Sequence, residues 1–241
     1  MANLLNTCLI ALMLLPTGLL AQNKLDDSGN KHGAWTGTFE SGKKRYTGQF
    51  NHGKPYGTFN YFTPAGSLES TLVFSEDAST SKATVYYPKE KKLMAVGNYI
   101  GQQRDSVWTF YSVYGYISSR ETYKDGQKQG ATIVYYDNGK VARQVTFENG
   151  VETGPTIEFF DTGKKKMEGS YENGRLEGRV TRYHPNGFIY AQGNYSDGRR
   201  HGNWIFYDER GKVQKRKRFY RGQDATKPEP KKKDGPSETG Q

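Results

Sequence analysis

Apolar and aromatic residues recur along this chain in pairs of short alternating runs, separated by glycine-containing turns, and the pairing repeats about every 24 residues. In residues 130–150, GATIVYYDNGKVARQVTFENG, Thr132–Tyr136 is β-branched and aromatic, Asp137, Asn138 and Gly139 are turn formers, Val141–Phe147 is a second run, and Glu148, Asn149 and Gly150 turn again. Such runs between such turns predict two short strands per unit. With the first residue of each unit as position 0, Gly33, Gly57, Lys82, Ser106, Gly130, Gly154, Gly178 and Gly202 share a slot at intervals of 24, with 25 once, before Lys82. Position 17 is aromatic in all eight units: Phe50, Phe74, Tyr99, Tyr123, Phe147, Tyr171, Tyr195 and Phe219. Position 9 is glycine in every unit except the third, which has Lys91. A short fixed period with set turn and core positions marks stacked units, each too small to bury its own apolar face. The predicted fold class is all-β: an elongated, single-layer antiparallel β-meander of eight 24-residue β-hairpin repeats. Sixteen strands at roughly 4.8 Å each extend ~75 Å, and open sheets of that length twist or curl.

Side-chain parity assigns the faces. A two-residue first loop would put the aromatic at position 5 and the aliphatic at position 11 on opposite faces. A three-residue loop ending in a bulge glycine at position 9 sets Tyr135 opposite Val141. Strict alternation from that pair places positions 3, 5, 11, 13, 15 and 17 on a core face of stacked rings, with glycine at position 15 in four units (Gly48, Gly97, Gly169, Gly193). Positions 2 and 4 then lie on the opposite face. There Trp35, Phe59, Tyr61, Tyr86, Trp108, Phe110, Trp204 and Phe206 form an aromatic stripe that includes all three tryptophans of the chain. Exposed rings among polar residues read as a docking surface for protein, peptide or glycan, unless the ribbon curls and buries them.

The ends of the chain differ from this pattern. Residues 1–21 carry no charge, run apolar from Leu9 to Leu15 and finish with Leu19, Leu20 and Ala21, which reads as a signal peptide cleaved after Ala21. A retained anchor would need a longer run, roughly 20 apolar residues. The only cysteine, Cys8, falls in that segment, so the mature chain has no disulfide. The expectation is an exported protein, periplasmic, outer-membrane-associated or secreted. Residues 22–30 read as a flexible lead-in, 31–223 as the repeat array, and 224–241, rich in Lys, Pro, Glu and Gly, as a disordered tail.

The formal net charge is +10, and it is unevenly spread: Lys and Arg outnumber Asp and Glu by 15 to 8 over residues 155–223, but by only 16 to 13 over residues 1–154. Arg210, Lys212, Lys215, Arg216, Lys217, Arg218 and Arg221 crowd into the last unit. Such a patch attracts anionic lipid, acidic polymers or, nonspecifically, nucleic acid, or it caps an otherwise adhesive sheet end. Of the four histidines, His32, His52, His184 and His201, none has metal-ligand spacing, and no nucleophile or carboxylate pair stands out from the repeated turns. The expectation is a non-enzyme with no metal and no cofactor.

The segments GSYENGRLEG (169–178), GNYSDGRRHG (193–202) and GQFNHGKPYG (48–57) resemble the MORN repeat (membrane occupation and recognition nexus). The longer unit is similar to the bacterial variant in YwqK-family antitoxins, and the resemblance covers residues 31–223. Units two to four depart from it: Glu76 and Asp77 replace a turn glycine, and Lys82, Lys91 and Ser106 stand where glycines are expected. The resemblance implies hairpin arrays that serve as scaffolds and protein-binding surfaces, with phospholipid binding as a proposed role. The functional expectation is an exported repeat scaffold with an unidentified protein partner. The alternatives are a module binding anionic lipid or polysaccharide, and an antitoxin or immunity-type protein.

Overall fold

The computed structural model describes residues 23–226, so the expected signal peptide and the tail beyond Thr226 lie outside the described residues. The chain forms β1 (Lys24–Leu25), β2 (Lys31–Thr38), β3 (Lys44–Asn51), β4 (Lys54–Phe62), β5 (Leu68–Phe74) and β6 (Thr80–Tyr86). It continues through β7 (Leu93–Ile100), β8 (Gln103–Tyr111), β9 (Ile117–Lys124), β10 (Gln127–Tyr135), β11 (Val141–Glu148) and β12 (Val151–Phe159). It ends with β13 (Lys165–Glu172), β14 (Arg175–Tyr183), β15 (Ile189–Ser196), β16 (Arg199–Tyr207), β17 (Val213–Tyr220) and β18 (Gln223–Asp224). Each strand pairs antiparallel with the next, so one open sheet of 18 strands runs through the described residues, and the eight-unit meander continues through the divergent units two to four.

Two kinds of turn join the strands. The first loop of a unit has three residues: in the fifth unit the Tyr136 N–H donates to the Lys140 carbonyl, and Gly139, at φ 80°, donates back to the Tyr136 carbonyl. The second is a two-residue turn with positive φ at both positions, as at His52 (46°) and Gly53 (81°); its twist matches that of the strands. The N–H of the turn glycine donates to a carbonyl of the preceding turn row, Gly150 to Lys128 and Gly174 to Glu152, so successive turns stack along the sheet edge.

Two irregularities per unit set the faces. Tyr135 pairs with Val141, as the loop length predicts, but Val134 pairs with Arg143, leaving Ala142 as a bulge. A second shift falls at the slot residue, where Lys128 pairs with Tyr123 but Thr132 with Glu121. Each bulge breaks strict alternation. The face predicted from positions 3, 5, 11, 13, 15 and 17 is therefore not the observed one. The buried side chains come from positions 2, 4, 13, 15 and 17, as in Phe59, Trp108, Met167, Val180, Ala191, Trp204, Phe206 and Phe219. Positions 3 and 14, with the position-5 ring beside them, lie on the second face.

Three boundaries also move. Residues 23–30, expected as a flexible lead-in, form a small hairpin: Lys24 pairs with His32, Leu25 with Lys31, and the Asn23 amide exchanges hydrogen bonds with the backbone of Thr36. At the other end Asp224, expected in the tail, pairs with Phe219. In unit three Val85 pairs with Ala95 and Tyr86 with Leu93, pairings that elsewhere belong to positions 4 and 5. The slot is thus Ser81, and the extra residue lies in the loop closed by Tyr87 and Lys92, not before Lys82. Ser81 has no bulge, since β5 and β6 pair without a register shift.

Candidate functional site

The aromatic stripe proves to be the core. Trp108 and Trp204 are fully buried, Phe59 and Phe206 nearly so, and Trp35, Tyr61 and Phe110 are half-buried. Tyr86 is also half-buried, but at position 5 it leaves the stripe altogether. A single sheet buries rings in three ways here. Glycine at position 15 lets the ring at position 2 of the next unit lie flat on the backbone: a Cβ at Gly48 would fall inside the Phe59 ring, at Gly97 inside Trp108 and at Gly193 inside Trp204. Position 17 adds edge-on contacts, with Phe219 against Trp204 at 6.1 Å. Cationic side chains two residues before the slot then cover the stack, Arg104 at 4.8 Å from the Trp108 ring, Arg200 at 4.9 Å from Trp204 and Lys31 at 4.8 Å from Trp35. The indole N–H of Trp108 donates to the Asn98 carbonyl and that of Trp204 to the Asn194 carbonyl, 3.0 Å in both cases. Phe59, Trp108, Trp204 and Phe206 thus have structural work and offer no exposed docking stripe.

In unit three Ala83 stands at position 2, where the other units carry larger side chains, and its cross-strand partner Leu72 lines an open hollow of about 610 Å³ on the ring face together with Tyr61, Phe74, Val85, Tyr99 and Arg104.

The second face carries a row that sequence reading missed because it depends on both bulges. Direct cross-strand partners run from Thr36 through Thr47, Asn60, Thr71, Thr84, Val96 and Thr109 to Arg120. The row continues through Ile133, Gln144, Ile157, Glu168, Thr181, Gln192 and Ile205 to Arg216. Three hollows follow its second half. One of about 340 Å³ is lined by Ile133, Gln144 and Ile157, one of about 570 Å³ by Ile157, Glu168, Tyr183 and Gln192, and one of about 580 Å³ by Gln192, Ile205, Arg216 and Arg218. Neighbouring hollows share Pro155 and Ile157, then Arg179 and Gln192, so the groove is continuous from β10 to β17.

Tyr183, at position 5, lines this groove, and it and Tyr207, at the same position of the next unit, reach the row. The Tyr183 hydroxyl donates to Glu168 at 2.5 Å, and the Gln192 amide donates to the Tyr207 hydroxyl at 2.6 Å. The bond from Tyr183, with Lys165 adding to it, lowers the Glu168 carboxyl, while burial and then Glu168 push Tyr183 up to about 12. Glu168 is therefore ionised at neutral pH.

The basic candidates of the last unit separate in space. Arg216, Lys217 and Arg218 line the 580 Å³ hollow together with Arg179 from β14, which the sequence did not single out. Lys217 is neutralised by Asp224, whose carboxyl Lys217 and then Thr226 hold near pKa 2. Arg210, Lys212, Lys215 and Arg221 are exposed away from the hollow, with Lys215 over the Phe206 ring at 5.2 Å. At the other end His52 meets Asp26 of the lead-in at 2.6 Å and its ring lies 4.8 Å from His32. Among the described residues no three His, Cys, Asp or Glu side chains converge as a metal site would require.

Residues 128–149, 152–173, 176–197 and 200–220 match the model of the MORN repeat variant, four times in tandem. These four segments are MORN-variant repeats. The matched segments coincide with the hairpins β10–β11, β12–β13, β14–β15 and β16–β17, and the same hairpin geometry continues upstream of them. No curated protein matches the chain. Among solved structures, a point mutant of S. aureus TarM in complex with fondaparinux, alpha-GlcNAc-glycerol and UDP is similar at 16% identity over 40% of this chain and 19% of that one, with a TM-score of 0.31. A second TarM crystal structure gives 16% identity, 39% and 20% coverage and a TM-score of 0.29. A TcdB2-TccC3-Cdc42 structure gives 8% identity over 79% of this chain and 14% of that one, with a TM-score of 0.23. The chain thus spans about a fifth or less of each of these proteins, and scores this low carry no inference about its role.

Proposed function

We propose that this protein is an exported, non-enzymatic scaffold that holds an extended partner against the second face of units five to eight. The observation behind this reading is the groove from β10 to β17. Its three hollows share lining residues, whereas the ring face is filled over the last units by Met167, Val180, Trp204, Phe206 and Phe219. A groove crossing many strands suits a linear chain, because each 24-residue unit offers the same positions again. Export rests on the apolar run at residues 9–15.

The test places a photo-crosslinking residue at Gln144, at Ile157 or at the exposed loop residue Tyr114 in the tagged full chain, in cells. Crosslinks from 144 and 157 but not from 114 are expected. Crosslinking from 114 alone, or equally from all three, contradicts the use of the second face. Fractionation of the same cells addresses export: a shortened chain outside the cytoplasm is expected, and a full-length cytoplasmic chain contradicts it.

A further inference from the structure

The last hollow of the groove has its own chemistry. Two parallel rows cross it. Arg179 pairs with Asn194 on β15 and Asn203 on β16 pairs with Arg218 on β17, with a register shift between β15 and β16 that pairs Asn194 with His201, so two amides stand on the two strands between the guanidinium groups. Beside them run Thr181, Gln192, Ile205 and Arg216. Arg179 and Arg218 stand three strands apart, roughly 14 Å, and Arg216 and Arg218 about 7 Å apart along one strand. Arg179 is aimed by a 2.8 Å bond to the Gln192 carbonyl oxygen. Among the described residues no carboxylate pairs with Arg179, Arg216 or Arg218, and no hydrogen bond uses the side-chain amides of Asn194 or Asn203, which are exposed.

We infer that this hollow is a binding site for an acidic polysaccharide, a linear glycan bearing carboxylate or sulfate groups. The inference rests on the scaffold reading and names the ligand class of its C-terminal end. Guanidinium groups on both rims suit planar or forked anions, while free amides on the floor both donate and accept, as sugar hydroxyls require. A bilayer fits less well, because the cations sit in a concavity and the only apolar floor side chain, Ile205, is half-buried. A nucleic-acid strand finds no ring to stack on, since Trp204, which borders the hollow, is fully buried.

The test is binding of the full chain to polygalacturonate and to heparin at physiological salt, with poly-L-glutamate and phosphatidylglycerol vesicles as competing chemistries. At least one of the two polysaccharides is expected to bind more tightly than either competitor. Arg216→Gln with Arg218→Gln should weaken that binding tenfold or more, Arg179→Gln by a similar factor, and Asn203→Ala severalfold. Arg210→Gln with Arg221→Gln, outside the hollow, should change it less than twofold. All of these positions are exposed, and unchanged melting temperatures exclude misfolding. The inference is overturned if neither polysaccharide binds, if poly-L-glutamate or vesicles bind as tightly, or if the Arg210 and Arg221 changes weaken binding as much as those in the hollow. Loss of polysaccharide binding with intact crosslinking from Ile157 removes this inference alone. Loss of that crosslinking removes the scaffold reading, whichever polymer binds.

Discussion

The two faces of this sheet use the same repeat for opposite ends. On the ring face, Trp108 and Trp204 lie flat on Gly97 and Gly193 under arginines and are sealed from water. On the second face, the Thr36-to-Arg216 row keeps polar and half-buried groups available, and its hollows stay open. A single-layer sheet has no second layer to define inside and outside. Here the bulges and the side chains at three positions per unit define them. Substitutions should therefore divide cleanly, those on one face changing stability and those on the other changing binding.

The largest effect is expected at Trp204. Trp204→Ala removes a fully buried ring and should destabilise the array by about 3–5 kcal/mol, read by denaturant unfolding. Gly193→Ala should cost about 1–3 kcal/mol by forcing a methyl into the Trp204 ring. The next effect belongs to the second face and to alkaline pH. Tyr183 has its pKa raised from 10.0 to about 12 in the folded chain, so the folded state holds this proton more tightly than the unfolded one. Stability is unaffected by this group below pH 10 and falls as pH rises from 10 toward 12. Tyr183→Phe should flatten that part of a melting-temperature profile. The smallest effect is expected from Arg216→Gln with Arg218→Gln, which should leave stability within about 0.5 kcal/mol. A large loss there would mean that the second face also holds the fold together.

Much of the architecture is legible in the sequence. The 24-residue period, the three-residue loop and the two-residue Asn-Gly and Asp-Gly turns all follow from local chemistry, and they led to the MORN resemblance that the family match supports. The faces do not follow, because the bulge at residue 142 breaks the parity that the Tyr135–Val141 pair would otherwise carry along the strand. A one-residue bulge leaves little trace in composition, yet it turned a core of tryptophans into an apparent docking stripe. Unit three shows the same limit. The aromatic spacing to Tyr99 points to Lys82 as the slot, whereas pairing assigns Ser81 through the longer loop at Pro88–Lys91. The basic cluster of the last unit was visible, but Arg179 lies three strands away, and only the cross-strand register brings it to Arg216 and Arg218.

The division between the faces is tested most directly by hydroxyl-radical footprinting of the full chain, free and with polygalacturonate. Trp108, Trp204 and Phe59 should stay unmodified in both states, Tyr114, which is 75% exposed, should react freely in both, and Ile205 with its neighbours in the last hollow should become protected when the polysaccharide is added. Oxidation of Trp108 and Trp204 at rates near that of Tyr114, with protection by the ligand, would contradict the assignment and return the binding surface to the rings.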